Sequence, residues 1–385
     1  MNKQTSLLIL TYLLFSAATL CEVRAQTVPS NPAVPGEAKP AAARVPSTPA
    51  IGLKDAYAGK FLIGCAGDIP ARYSEAELAN IRANYNIVTP ENSMKPQPTH
   101  PSEDTYNFAT PDALVKWCQE NNIKVWGHTL LWHAQTGRWF FEGTNGQPAT
   151  RELALERLKK HIMTVVGRYK GRVIGWDVVN ESIADGGSGE TENLRNSSWY
   201  RTVGPDVLAL AFKWAHEADP EAQLYYNDYN IEQGAVQNRG KHASSMLLLK
   251  RLIKEGAPIH GVGIQGHWSL NTRIPDVEKA IENYASLGLK VSISELDVTA
   301  TGSNSGAFGN QGGGNVSAEA LEQQALVYAK LFDIFNRHSK SISRVTFWGI
   351  SDRRSWRSRQ RPLLFDAQLQ PKPALQTILN VSKEK

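Results

Sequence analysis

ELALERLKKHIMTVVGRYKGRVIGWDVVNE, residues 152–181, changes its periodicity once. As far as Tyr169 the apolar positions Leu155, Leu158, Ile162, Val165 and Tyr169 return at steps of three and four, which places them on one face of a helix. Residues 173–180, VIGWDVVN, then form a short apolar, β-branched run that reads as a strand, and the run stops on Asn180 and Glu181. A helix, a strand and a polar strand end thus make one structural unit.

The same unit recurs along the chain. Candidate strands fall at 61–65 (FLIGC), 86–90 (NIVTP), 123–128 (IKVWGH), 173–180, 223–227 (QLYYN), 261–265 (GVGIQ), 290–296 (KVSISEL) and 344–350 (RVTFWGI), eight in all. Helical patterns lie at 206–218, 242–255, 275–287 and 317–337. Continuous alternation of strand and helix predicts an α/β fold with a parallel sheet covered by helices. Eight units close most naturally into a (β/α)8 TIM barrel, a single catalytic domain whose chemistry sits at the C-terminal ends of the strands. A doubly wound open sheet is the alternative, and it would gather its site at one crevice instead. Chemically capable residues follow nearly every run: Glu91 and Asn92, His128 and Trp132, Asn180 and Glu181, Asn227 and Asp228, Gln265 and His267, Glu295 and Asp297, and Trp348.

The flanking sequence differs in kind. Residues 6–20, SLLILTYLLFSAATL, are an apolar run behind Lys3 and before Val23, Arg24 and Ala25; they read as a signal peptide cut near Ala25, so the expected location is secreted or periplasmic. Cys21 raises a lipoprotein variant, but Leu20 is a poor fit to the small residue expected before it. Residues 26–50 are rich in Pro and Ala and read as a linker, leaving 51–385 as the catalytic domain.

Composition excludes several classes. With 41% hydrophobic and 21% charged residues the chain can bury a large core, so a disordered polymer is ruled out. A net charge of +5, with no clustered basic stripe, does not suit a nucleic-acid binder. Three cysteines (Cys21, Cys65, Cys118) are too few for a disulfide scaffold and lack the spacing of a zinc site. His128 and His133 have no register that would converge them with a carboxylate, so no metal and no cofactor is expected.

Glu181 and Glu295, from the fourth and seventh runs, lie roughly opposite in an eight-membered ring and can face each other across its mouth. Glycoside hydrolysis needs such a pair, one carboxyl protonated to give a proton to the leaving oxygen and one ionised to attack or to activate water. Either glutamate alone reads as readily as an ion-pair partner. Period-two alternation puts Glu295 and Asp297 on one side of their strand, and His267 could bridge them and keep the nucleophile ionised, or serve only as a structural histidine. Asn180 can offer an amide to a sugar hydroxyl. Trp126 and Trp176 suit the core, whereas Trp132, Trp348 and Trp356, beyond strand ends among polar residues, suit stacking platforms for a sugar ring.

Taken together, TPENSMK (89–95), GHTLLWH (127–133), WDVVNE (176–181), YYNDYN (225–230), GIQGHW (263–268), SELDV (294–298) and WGISD (348–352) resemble the motifs of glycoside hydrolase family 10, the endo-β-1,4-xylanases, in order from about Phe61 to Ala374. The resemblance implies retaining hydrolysis of β-1,4-xylan, with xylan and xylooligosaccharides as partners, a monomer, and no protein partner. By it Glu181 is the general acid/base and Glu295 the nucleophile, supported by His267 and Asp297. Glu91, Asn92 and Lys95 would hold the xylose two places from the cut on the non-reducing side. His128, Trp132, Asn180, Gln265, His267, Trp348 and Trp356 would wall the adjacent sugar site, and Tyr229 would lie on the leaving-group side. Pro96 after Lys95 and the loop QTGRWFF depart from the family pattern and bear on the outer donor sites.

Two segments stay open. The loop at 301–315, TGSNSGAFGNQGGGN, reads as a flap over the cleft or, preferably, a solvated insertion. Arg353, Arg354, Arg357, Arg359 and Arg361 around Trp356 read either as a cationic rim for glucuronic-acid branches or as an internally paired cluster. Two rival functions remain on the residues alone: another barrel β-glycanase using the same glutamate plan, and a catalytically silent sugar-binding barrel.

Overall fold

Parallel pairing runs through every ladder of the sheet: β1 (Leu62–Ala66), β2 (Ile87–Thr89), β3 (Lys124–Trp132), β4 (Gly175–Asn180), β5 (Gln223–Asp228), β6 (Gly261–Ile264), β7 (His267–Ser269), β8 (Lys290–Thr299) and β9 (Ile342–Phe347). The neighbours run β6-β5-β4-β3-β2-β1-β9-β8, and β6 also pairs with β8, which closes eight strands into a barrel. This computed structural model describes residues 51–301 and 316–383. The expected signal segment 1–25, the linker 26–50 and residues 302–315 of the glycine-rich loop lie outside the described residues.

The helices expected from periodicity form at Arg151–Arg168, Val207–Ala218, Gly240–Lys254, Ile274–Ala285 and Ala318–Arg337. Local chemistry sets their starts. Thr150 accepts a hydrogen bond from the Leu153 amide and Ser317 from that of Ala320, each satisfying a backbone donor that the first turn leaves unpaired. In the first helix Ala154, Leu158, Ile162, Val165 and Val166 are buried against the barrel.

Three boundaries differ from expectation, and each moves a site residue. β3 continues past His128 to Trp132 through a register shift between His128 and Leu131, so Trp132 lies inside the strand, not beyond it. β8 likewise runs on to Thr299 and carries both Glu295 and Asp297. His267 does not end the sixth strand: it opens β7, which among the described residues pairs only with the upper half of β8, from His267↔Asp297 to Ser269↔Thr299. Gly266 makes that step possible. Its φ of +79° is costly for any residue with a side chain, and it lets the chain leave β6 and cross to β8.

The floor of the barrel is plugged by Trp126 and Tyr225, edge to face with centroids 4.8 Å apart, together with Ile87. A methyl group at Gly175 would lie 2.4 Å from the Trp126 ring, and one at Gly261 2.4 Å from the Tyr225 ring, so these strands need glycine where the large rings cross the axis. Trp176 is fully buried among the core residues. Cys65 and Cys118 are buried free thiols. No helix among the described residues is long and apolar enough to cross a membrane.

Candidate active site

At the end of β4 the backbone turns into the left-handed region at Glu181, φ +56°, a conformation that costs about 1–3 kcal/mol for a non-glycine residue and persists where the surroundings impose it. The Glu181 amide donates to the Asn227 carbonyl at 2.9 Å, which ties the turn to β5. Its carboxyl receives Trp132 Nε1–H at 2.9 Å and Gln265 Nε2–H at 2.9 Å. Both donors are neutral.

Glu295 has different company. Its Oε1 accepts from Asn227 Nδ2 at 2.8 Å, and its Oε2 lies 3.2 Å from His267 Nε2. Asn227 itself is fixed by Ser294 Oγ at 2.5 Å and also donates to Asn180 Oδ1 at 2.9 Å.

On its far side His267 Nδ1 lies 3.0 Å from Asp297 Oδ2, and Asp297 also accepts from Trp356 Nε1 at 2.9 Å and from Arg357 Nη1 at 3.1 Å. Burial alone would drive His267 toward its neutral form, but the Asp297 charge and the hydrogen bonds to Asp297 and Glu295 outweigh it and push the pKa up to about 9. Glu295 moves the other way. Burial raises it, yet the His267 hydrogen bond, the charges of His128 and His267 and the Asn227 donor together hold it below the usual carboxylate value. Among the described residues, one carboxyl is therefore hydrogen-bonded to a cation and the other only to neutral donors.

The remaining residues singled out from the sequence flank this pair. Lys95 Nζ donates to Asn92 Oδ1 at 3.1 Å and sits 5.1 Å from the centre of the Trp132 ring. Burial lowers the Lys95 pKa, against the opposing pull of Glu295, Glu91 and Glu181, and burial followed by the Asp68 charge raises Glu91. His128 Nδ1 is 3.0 Å from Asp177 Oδ2, and Trp348, 7% exposed, meets the His128 ring edge to face at 5.5 Å. Trp356 is partly buried and lies 5.0 Å from the His267 ring. Tyr229 donates to Asp185 Oδ2 at 2.7 Å and accepts from Arg195 Nη2 at 3.0 Å. Arg195 Nε also donates to the Glu181 carbonyl at 3.1 Å. An open cavity beside Glu181 is lined by Leu131, His133, Asn180, Arg195 and Tyr200, among others.

The arginine cluster divides. Arg354 pairs with Glu77 at 2.7 Å and Arg357 is buried against Asp297, whereas Arg353, Arg359 and Arg361 are exposed. Asp68 was not singled out, although it accepts the Asn92 and Ser93 amides at 3.0 and 2.9 Å and so shapes the turn carrying Asn92; its place just after β1 was the available signal. Asp185 and Arg195 were also missed, because both sit in the long segment after β4, away from a strand end. Away from the cleft, Glu278, Glu282 and His338 bring their ligand atoms within 4.8 Å of one another. Glu278 already pairs with Arg337 and His338, and Glu282 with Lys279, which makes the cluster a salt link between helices.

The sequence model of glycosyl hydrolase family 10 matches residues 52–381. The chain belongs to glycosyl hydrolase family 10. Among family relatives it is 41% identical to exoglucanase XynX of Acetivibrio thermocellus over 86% of this chain and 29% of that protein, so it spans under a third of that relative's length. It is 40% identical to endo-1,4-beta-xylanase B of Paenibacillus barcinonensis over 86% of this chain and 99% of that one. The structure superposes with a TM-score of 0.77 on a mutant of the intracellular xylanase TsXylA of Thermoanaerobacterium saccharolyticum in complex with xylotriose, 39% identical, covering 85% of this chain and 98% of that one.

Proposed function

We propose that this family 10 chain is an endo-1,4-β-xylanase that cleaves internal xylosidic bonds with retention of configuration. The observation that supports the mechanism is the asymmetry between the two carboxyls, with Glu295 against protonated His267 and Glu181 among neutral donors. In the first step the Glu295 carboxylate attacks the anomeric carbon. The bond to the departing oxygen breaks as Glu181 delivers its proton there. In the second step water attacks the glycosyl ester, its proton passes to Glu181, and Glu295 leaves as the carboxylate.

His267 and Asp297 act through Glu295, keeping it ionised and aimed. Glu91, Asn92 and Lys95 bind the xylose two places from the cut on the non-reducing side. His128, Trp132, Asn180, Gln265, Trp348 and Trp356 enclose the reacting unit, and Tyr229 with Arg195 faces the leaving-group side. Initial reducing-sugar rates on xylan and on carboxymethylcellulose test the substrate class. Rapid release of oligosaccharides from xylan is expected; a rate on the cellulose equal to or above that on xylan would favour the glucanase reading that the exoglucanase relative raises. We also propose that residues 1–25 direct export; N-terminal sequencing of protein recovered outside the cytoplasm is expected to begin near Gln26, and retention of an intact Met1 start in the cytoplasm would refute it.

A further inference from the structure

One guanidinium lies inside the barrel. Arg344, on β9, is 1% exposed and stacks its charged end over the Trp126 ring at 3.9 Å. Its Nη2 donates to Asp177 Oδ1 at 3.1 Å, and Trp126 Nε1 donates to the same oxygen at 2.8 Å. The other Asp177 oxygen holds His128 Nδ1 at 3.0 Å. Arg344 Nε and Nη1 have no hydrogen-bond partner among the described residues.

A guanidinium is an expensive plug for a barrel. An apolar side chain of similar volume at such a place is often no less stable, and unpartnered buried donors add to the cost. Among the described residues, the only other direct polar partners of the Asp177 carboxylate oxygens are Trp126 and His128, and His128 belongs to the wall of the reacting sugar's site. The titratable groups packed around the pair come from three strands: His128 on β3, Asp177 on β4 and Tyr225 on β5. Burial would protonate Asp177, and the Arg344 charge is the largest of the influences that keep it ionised.

We propose that Arg344 is a positioning residue for catalysis: it holds Asp177 as an anion, so that the Nδ1–H of His128 stays bonded to that carboxylate and the opposite edge of the ring faces the sugar and Glu295. The effect reaches the reaction through His128, whose charge is among those that stabilise ionised Glu295. The inference rests on the retaining glycosidase reading only for its kinetic arm.

Arg344→Met and Arg344→Lys test it, with kcat, KM and the pH profile measured on a xylooligosaccharide. In Arg344→Met, kcat/KM is expected to fall roughly 10- to 100-fold, the scale of one charge-assisted buried hydrogen bond, with its acid limb moved up by about one pH unit. Arg344→Lys is expected to recover most of both. An unmoved acid limb, with activity lost only in proportion to the folded fraction, would overturn the proposal, as would wild-type kinetics in Arg344→Met. Should Arg344→Met not fold, nitrogen-detected histidine NMR of the wild type carries the test: the His128 Nδ1 that faces Asp177 is expected to carry a proton, and a proton on Nε2 alone would refute it. Wild-type protein inactive on xylan, with His128 protonated on Nδ1, would instead count against the xylanase reading while supporting the Arg344 assignment.

Discussion

Replacing His267 by Gln removes a buried cation held between two carboxylates. In the native state its pKa is about 9, against roughly 6.5 for a free histidine, a difference worth about 3 kcal/mol at about 1.4 kcal/mol per unit. The sign follows from a folded-state pKa above the unfolded one. The stabilisation is complete below pH 6.5, declines as pH rises from 6.5 to 9, and is gone above that window. About 330 residues fold as the domain, so the unfolding entropy is about 0.7 kcal/mol per degree and the full effect is about 4 °C in Tm. Calorimetry of wild type and His267→Gln, scanned from pH 5.5 to 10, measures it. The Tm gap is expected to be widest at pH 5.5–6.5 and to narrow by about 4 °C by pH 9.5. A gap that stays constant across that range would refute the claim that His267 is protonated between Glu295 and Asp297.

Other consequences are as direct. Glu295→Ala is expected to abolish hydrolysis while leaving circular dichroism unchanged, and any variant turnover near the wild-type rate would remove Glu295 from its role. Glu181→Ala is expected to retain the first step on aryl xylosides with good leaving groups, where no proton need be donated, and to lose it on xylan; equal losses on both substrates would contradict the acid role. His161 is buried against His100, and burial followed by the His100 charge depresses its pKa to about 3. Its folded-state pKa lies below the unfolded value, so stability falls on acidification below about pH 6.5, by about 3 kcal/mol at pH 4 from this residue alone. His161→Gln is expected to flatten the acid limb of Tm against pH, and an unchanged slope would oppose the assignment.

Much of this architecture is legible in the chain because it is local. The switch from a helical face ending at Tyr169 to the run ending at Asn180 marks a strand end without any partner strand in view, and Glu181 stands there as a consequence. What was hidden depends on register between distant segments. Asn227 was visible as a strand-end residue, but its bridge between Asn180 and Glu295 exists only because β4, β5 and β8 bring those positions together. The displacement of His267 onto β7 hung on one glycine, Gly266, which looks unremarkable among the GIQGHW residues until its φ is known. Trp132 was placed outside its strand because a bulge lengthens β3 without altering the local composition. Arg344 and Asp177 sit in runs that read as buried strands, where a charge carries no hint of the partner it will meet across the barrel.

The stereochemistry of the first product tests the double displacement most directly. Proton NMR of a xylooligosaccharide digest, recorded before mutarotation, should show the newly released reducing ends as the β anomer, and first appearance of the α anomer would contradict a covalent intermediate on Glu295.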